Sequence, residues 1–120
     1  MYDHTIKKLP VQNSKFHWQK IGLKGNISKE NMFKTLPELI RENGHSNEQN
    51  MILKIDIENS EWEIFQSLPI NILKQFKYIV GEFHFSSSSK KYNYFNILRK
   101  LLSTHQIFHL LWKNNKIRRK

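Results

Sequence analysis

The chain has no cysteine, which removes disulfides, thiolate-held zinc, iron–sulfur clusters and cysteine nucleophiles from consideration. Glycine is nearly as scarce. The four present, at positions 22, 25, 44 and 81, form neither a phosphate-cradling P-loop nor a Gly-x-Gly-x-x-Gly turn. No Gly-x-Ser-x-Gly elbow occurs, so the usual serine-hydrolase arrangement is excluded as well. No apolar run approaches the roughly 18 residues that a membrane span needs. The opening stretch Met1–Lys8 has no apolar core of the kind a secretory leader carries, and a cytoplasmic location is the expectation. Acidic residues are few, 10 against 20 Lys+Arg, leaving a net charge of +10 over 120 residues, a length that fits one domain.

An excess of cations raises the question of a polyanionic partner. Lys outnumbers Arg sixteen to four, however, whereas base reading and bidentate phosphate contact favour Arg. Lys, Asn and Ile make up 42 of the 120 residues, and all three use A/T-rich codons, so genome bias accounts for much of the charge. A nucleic-acid partner is therefore not expected, and a small basic binding module for nucleic acid or acidic partners is the alternative reading. The one dense basic cluster, Lys113–Lys120, reads as a solvated tail following a domain over 1–112.

What is present alternates between strand and helix signals. Phe16–Ile21 reads as a short strand ending near Gly22. Thr35-Leu-Pro-Glu38 is a capping box with proline tolerated in the first turn, and Asn43-Gly44 supplies the helix stop. Met51–Ile57 is apolar at nearly every position, as in a parallel strand covered on both faces. Ser60-Glu-Trp-Glu63 reads as a second capping box opening a helix over Glu61–Leu68, ended by Pro69. Lys77–Phe85 reads as a strand stopped by the tract Ser86–Ser89. Tyr92–Ser103 reads as a helix with Phe95, Leu98 and Leu102 on its apolar face, and Gln106–Trp112 as a last strand. This order predicts an α/β domain with a mostly parallel sheet and flanking helices.

In open α/β sheets, ligands sit beyond the carboxyl ends of the strands, where the loops diverge. Asp56 and Glu58 leave the apolar run at that end, on the same face as Lys54 and about 7 Å apart. Glu82 and His84 share a face near the end of the next strand. If the two strands are neighbours, Asp56, Glu82 and His84 converge, and a carboxylate with an imidazole there could serve as general base and orienter or contribute to a metal site. Of the remaining histidines only His105 and His109 fall at a His-x-x-x-His spacing. They do so at the start of a segment read as a strand, where residues four apart are about 13 Å apart, so a metal motif there is weak.

Met51–Phe65, Met-Ile-Leu-Lys-Ile-Asp-Ile-Glu-Asn-Ser-Glu-Trp-Glu-Ile-Phe, resembles the "LKIDIEGAEW" signature of the FkbM-type S-adenosylmethionine-dependent methyltransferase family. Tyr2–Pro10 is similar to that family's "FDHTxxxLP" segment, and Phe16–Leu23 to its "FHxxKxGL" stretch. Ile79–His84 also fits, and His109–Asn115 is a looser match to its ending. Asn59-Ser60 stands where the family has Gly-Ala. The resemblance implies a Rossmann-like methyltransferase fold, S-adenosylmethionine as cofactor, and O-methyl transfer to a small or carbohydrate-like acceptor. It places Asp3 and Glu58 at the cofactor, and Asp56, Glu82 and His84 at the methyl-transfer centre. It also implies a partial domain whose first strand, with the glycine-rich cofactor loop, and last strand are missing. Such a chain is expected to be inactive alone and to self-associate through exposed strand edges.

Overall fold

The computed structural model describes residues 1–2, 5, 7–8, 13–15, 17, 19–26, 29–30, 32–57, 60–85 and 92–111. Asp3, Glu58, the tract Ser86–Ser89 and the tail Lys113–Lys120 lie outside the described residues.

Two short strands come first, β1 (Gly22–Leu23) and β2 (Phe33–Lys34), paired in parallel. Of the expected strand over Phe16–Ile21, Phe16 and Trp18 lie outside the described residues, and the described ladder lies just beyond it. Gln19 makes only an isolated parallel bridge with Tyr2, and the ladder starts at Gly22, whose amide donates to the Met32 carbonyl. The pairing partner, β2, carried too few apolar residues to be read from sequence.

Helix α1 (Leu36–Glu42) forms where its capping box predicts. The Thr35 hydroxyl accepts from the Glu38 amide at 3.3 Å, and the Glu38 carboxylate accepts from the Thr35 amide at 2.7 Å. That amide bond, and then the Thr35 hydroxyl at 2.8 Å, hold the Glu38 carboxyl below its ordinary range. Gly44, at φ +74°, takes the left-handed position that ends the helix, a conformation costly for any residue with a Cβ.

The centre of the fold is a strand–helix–strand unit. Strand β3 (Met51–Ile55) pairs in parallel with β4 (Phe76–Gly81), and between them run α2 (Glu61–Ser67) and a single turn, α3 (Ile70–Leu73), opened by Pro69. Met51 opposes Phe76 but Ile52 opposes Tyr78, so one extra residue, Lys77, is bulged out of β4. The bulge has a packing reason. Phe76 and Ile79 are three apart, an odd spacing that would put them on opposite faces of a regular strand. With the extra residue, both turn toward the core, and Ile79 falls opposite Leu53.

The core gathers Ile55, Phe76 and Leu73 around Trp62, Ile64, Phe65 and Leu68, with Leu36 and Ile40 from α1 and Ile97 from α4 (Tyr94–Leu102). Trp62, Phe65 and Leu73 are each 1% exposed, and burying each such side chain is worth about 2–3 kcal/mol. Lys100 of α4 donates to the carbonyls of Phe65 and Gln66 at 3.0 Å each, satisfying the end of α2. Burial there pulls its ammonium pKa below the usual lysine range. His105 ties the end of α4 to β4 through Nε2 and the Phe76 carbonyl, 2.8 Å apart.

Three expectations are corrected. The β3–β4 pair is covered on one face only: Ile52, Tyr78 and Val80 are exposed, because α2 and α4 both pack on the side of Leu53 and Ile55. Helix α4 turns Tyr94, Ile97 and Leu101 inward and leaves Phe95, Leu98 and Leu102 exposed. It carries two apolar stripes, and docking against α2 selects the one that also brings in Lys100. Residues 106–111 form no strand, and Ile107, Phe108, Leu110 and Leu111 are exposed, since no described strand edge pairs with them. Trp112 lies outside the described residues. Among the described residues, no helix is long and apolar enough to cross a membrane.

Candidate functional site

The parallel pair ends at Ile55 and Gly81, and the two chains leave it side by side. The ladder persists one step further, since the Glu82 amide donates to the Ile55 carbonyl at 3.1 Å. Gly81 permits this closeness. A Cβ there would stand 2.8 Å from the Ile55 Cγ2 and 3.1 Å from its carbonyl oxygen. Asp56 and Glu82 therefore emerge next to each other, with His84 two residues on. One ligand atom from each of Asp56, Glu82 and His84 lies within 4.8 Å of the others.

Helix α2 holds this arrangement through its first two residues. The Glu61 side chain is fully buried, and its Oε1 lies 2.6 Å from His84 Nδ1. The same oxygen accepts from the Ile57 amide at 3.3 Å, so one carboxylate spans both strand exits. Trp62 Nε1 donates to the His84 carbonyl at 2.7 Å, fixing the backbone of the residue whose ring Glu61 holds. The Trp62 ring sits among Phe83, Phe85 and Tyr94, with centroids 4.9, 5.0 and 4.4 Å away. In the tautomer whose Nδ1–H donates to Glu61 Oε1, the Nε2 lone pair lies 3.9 Å from Asp56 Oδ1. Asp56 is half exposed and His84 one-third exposed, so a solute can reach both.

This geometry explains why the second capping box does not form. Ser60 sits at φ −99°, ψ −6°, a helical rather than extended conformation, and makes no side-chain cap bond. Glu61, read from sequence only as the first helical residue, turns inward to the strand ends. Glu61 and Trp62 are the residues that spacing arguments missed. The available signal was their place directly after the emergent carboxylates, in the most specific motif of the chain.

Of the five residues singled out from sequence, the structure brings together Asp56, Glu82 and His84, while Asp3 and Glu58 lie outside the described residues. A separate surface concavity of about 550 Å³ is lined by Asn26, Glu63, Gln66, Ser67 and Tyr92. It contains none of the three and no cluster of reactive groups, so chemistry rather than size marks the strand ends as the candidate site.

No curated protein and no solved structure gives a significant match to the chain. The model for the methyltransferase FkbM domain does match, over residues 10–110, a span that contains both strand exits, the Glu61-Trp62 pair and the convergent carboxylates. On that match over most of its length, the chain belongs to the FkbM methyltransferase domain family.

Proposed function

We propose that this chain is a Rossmann-like domain of a cytoplasmic, S-adenosylmethionine-dependent O-methyltransferase, and that its described residues form the acceptor side of the reaction. The observation that carries the reading is the convergence of Asp56, Glu82 and His84 beside a buried carboxylate that orients the imidazole. The acceptor is a small or carbohydrate-like molecule offering a hydroxyl. S-adenosylmethionine, when bound, supplies an electrophilic methyl group, so the protein needs chiefly to position and deprotonate that hydroxyl.

The residues fit those tasks. His84 Nε2 is placed to accept the hydroxyl proton, because Glu61 fixes the other ring nitrogen and stabilises the charge the imidazole gains. Asp56 and Glu82 offer acceptors to neighbouring hydroxyls, the pattern a polyol presents. The fit on the cofactor side is poorer: the chain has no glycine-rich turn to cradle the cofactor. Asp3 and Glu58 remain the proposed contacts to it, and the chain by itself is proposed to bind it weakly. Self-association through strand edges belongs to the same proposal, whereas a nucleic-acid surface finds no support in the family match.

Two measurements on the purified chain test this reading. Saturation-transfer NMR against a panel of neutral mono- and disaccharides is expected to show contact that Asp56→Asn abolishes. If no saccharide gives a signal sensitive to Asp56, the acceptor assignment fails. Isothermal titration with S-adenosylmethionine is expected to give no micromolar binding, and micromolar affinity would overturn the division into acceptor and cofactor sides.

A further inference from the structure

We infer that Asp56, Glu82 and His84 form a binding site for a divalent first-row cation such as Mn²⁺, with Glu61 as the residue that orients the histidine ligand. The donor set is two carboxylates and one imidazole on adjacent strand exits, with one atom of each within 4.8 Å of the others. Coordination at about 2.0–2.2 Å brings ligand atoms about 3–4 Å apart, so closing on an ion needs a movement of about 1 Å. Asp56 and Glu82 are exposed, so an ion can reach them from solvent.

The second observation is Glu61. Metal-bound histidines almost always give their other ring nitrogen to a carboxylate or carbonyl, which fixes tautomer and ring orientation. Glu61 stands in that relation to His84, at 2.6 Å from Nδ1, and leaves Nε2 toward Asp56. Glu61 is fully buried, and its Oε2 has no hydrogen-bond partner among the described residues. A buried carboxylate left half satisfied is costly unless positive charge lies close by. Asp56 and Glu61 both face His84, at 3.9 Å and 2.6 Å. Three of the ten acidic residues of a chain with net charge +10 thus meet around one imidazole. A mixed oxygen–nitrogen set with no sulfur suits Mn²⁺ or Zn²⁺ better than Ca²⁺. Three protein ligands leave coordination positions open for water or for an acceptor hydroxyl.

The site shares residues with the acceptor reading but not its test: with a cation bound, His84 Nε2 would be a ligand, and the cation in place of the imidazole would lower the pKa of the acceptor hydroxyl. The purified chain is titrated with MnCl₂ alone, and free Mn²⁺ is followed by electron paramagnetic resonance. One Mn²⁺ per chain is expected, competed by Zn²⁺. Affinity is expected to fall at least tenfold in Asp56→Asn and Glu82→Gln, and about 10–100-fold in Glu61→Gln. It is expected to be unchanged in Glu30→Gln, whose carboxylate faces Lys24 and is no member of the cluster. Nitrogen modulation from an imidazole is expected in the spin-echo spectrum of bound Mn²⁺ and is lost in His84→Asn, a signature that a merely structural histidine would not give. Absence of stoichiometric binding, or binding indifferent to Asp56→Asn, overturns the assignment. A chain that binds Mn²⁺ but no saccharide keeps this site and loses the acceptor reading.

Discussion

Replacing Trp62 by phenylalanine keeps an aromatic ring in the core while deleting the donor that holds the His84 carbonyl. The lost hydrogen bond is worth about 0.5–1.5 kcal/mol. The smaller ring also gives up part of the packing against Phe83, Phe85 and Tyr94, roughly another 1 kcal/mol. We expect Trp62→Phe to cost about 2 kcal/mol and Trp62→Ala about 3–5 kcal/mol, the difference measuring the aromatic packing itself. A chain of 120 residues has an unfolding entropy of about 250 cal/mol/K at about 2.1 per residue, so each kcal/mol lowers Tm by about 4 °C. Urea titration followed by far-ultraviolet circular dichroism gives the free energies, and a thermal melt gives the Tm. A cost below about 0.5 kcal/mol for Trp62→Phe would show that the bond to His84 contributes nothing. A cost below about 1.5 kcal/mol for Trp62→Ala would refute the placement of this ring at the centre of the core.

The two expected capping boxes separate cleanly in a urea titration: Thr35→Ala should cost about 1 kcal/mol, and Ser60→Ala less than about 0.5 kcal/mol because no cap bond is lost. Glu38 has a folded pKa below its ordinary value of 4.5, so its contribution is complete at neutral pH and is lost as pH falls below that value. Acid titration of Glu38→Gln should accordingly show a shallower fall in stability over that window than the parent chain. Gly81→Ala drives a Cβ into Ile55, and a loss of about 1–3 kcal/mol is expected in the same titration, together with weaker amide protection at Glu82.

Much of the architecture was legible because it rests on local chemistry. The first capping box and its Asn43-Gly44 stop depend on residues three to nine apart, and nothing elsewhere competes for them. The run Met51–Ile55 and the parallel crossover to β4 followed from composition and element order. Convergence of Asp56, Glu82 and His84 depended on one further condition, that the strands be neighbours, which the structure meets. What escaped was decided by contacts between distant segments. The bulge at Lys77 reconciles Phe76 with Ile79, a conflict visible only once β3 is in place. The buried stripe of α4 was chosen by α2, since either stripe has helical spacing. The segment 106–111 has strand composition but no described edge to join. Glu61 looked like a helix-opening residue because its partner lies 23 positions away.

The parallel crossover also sets an order of events during synthesis. Residues 56–75 intervene between β3 and β4, so the pair cannot close as a hairpin does, one step from its turn. As the chain emerges, β3 and α2 are available first, with the Ile55 edge bare and the Glu61 carboxylate lacking the imidazole it is built to hold. Only after Gly81 and His84 have been released can the strand pair zip and the cluster assemble, and parallel pairing of this kind is slow. Until then the nascent chain presents an unpaired apolar strand beside a carboxylate without its partner, which makes that interval the one in which chaperone capture or mispairing with another chain competes most directly with folding.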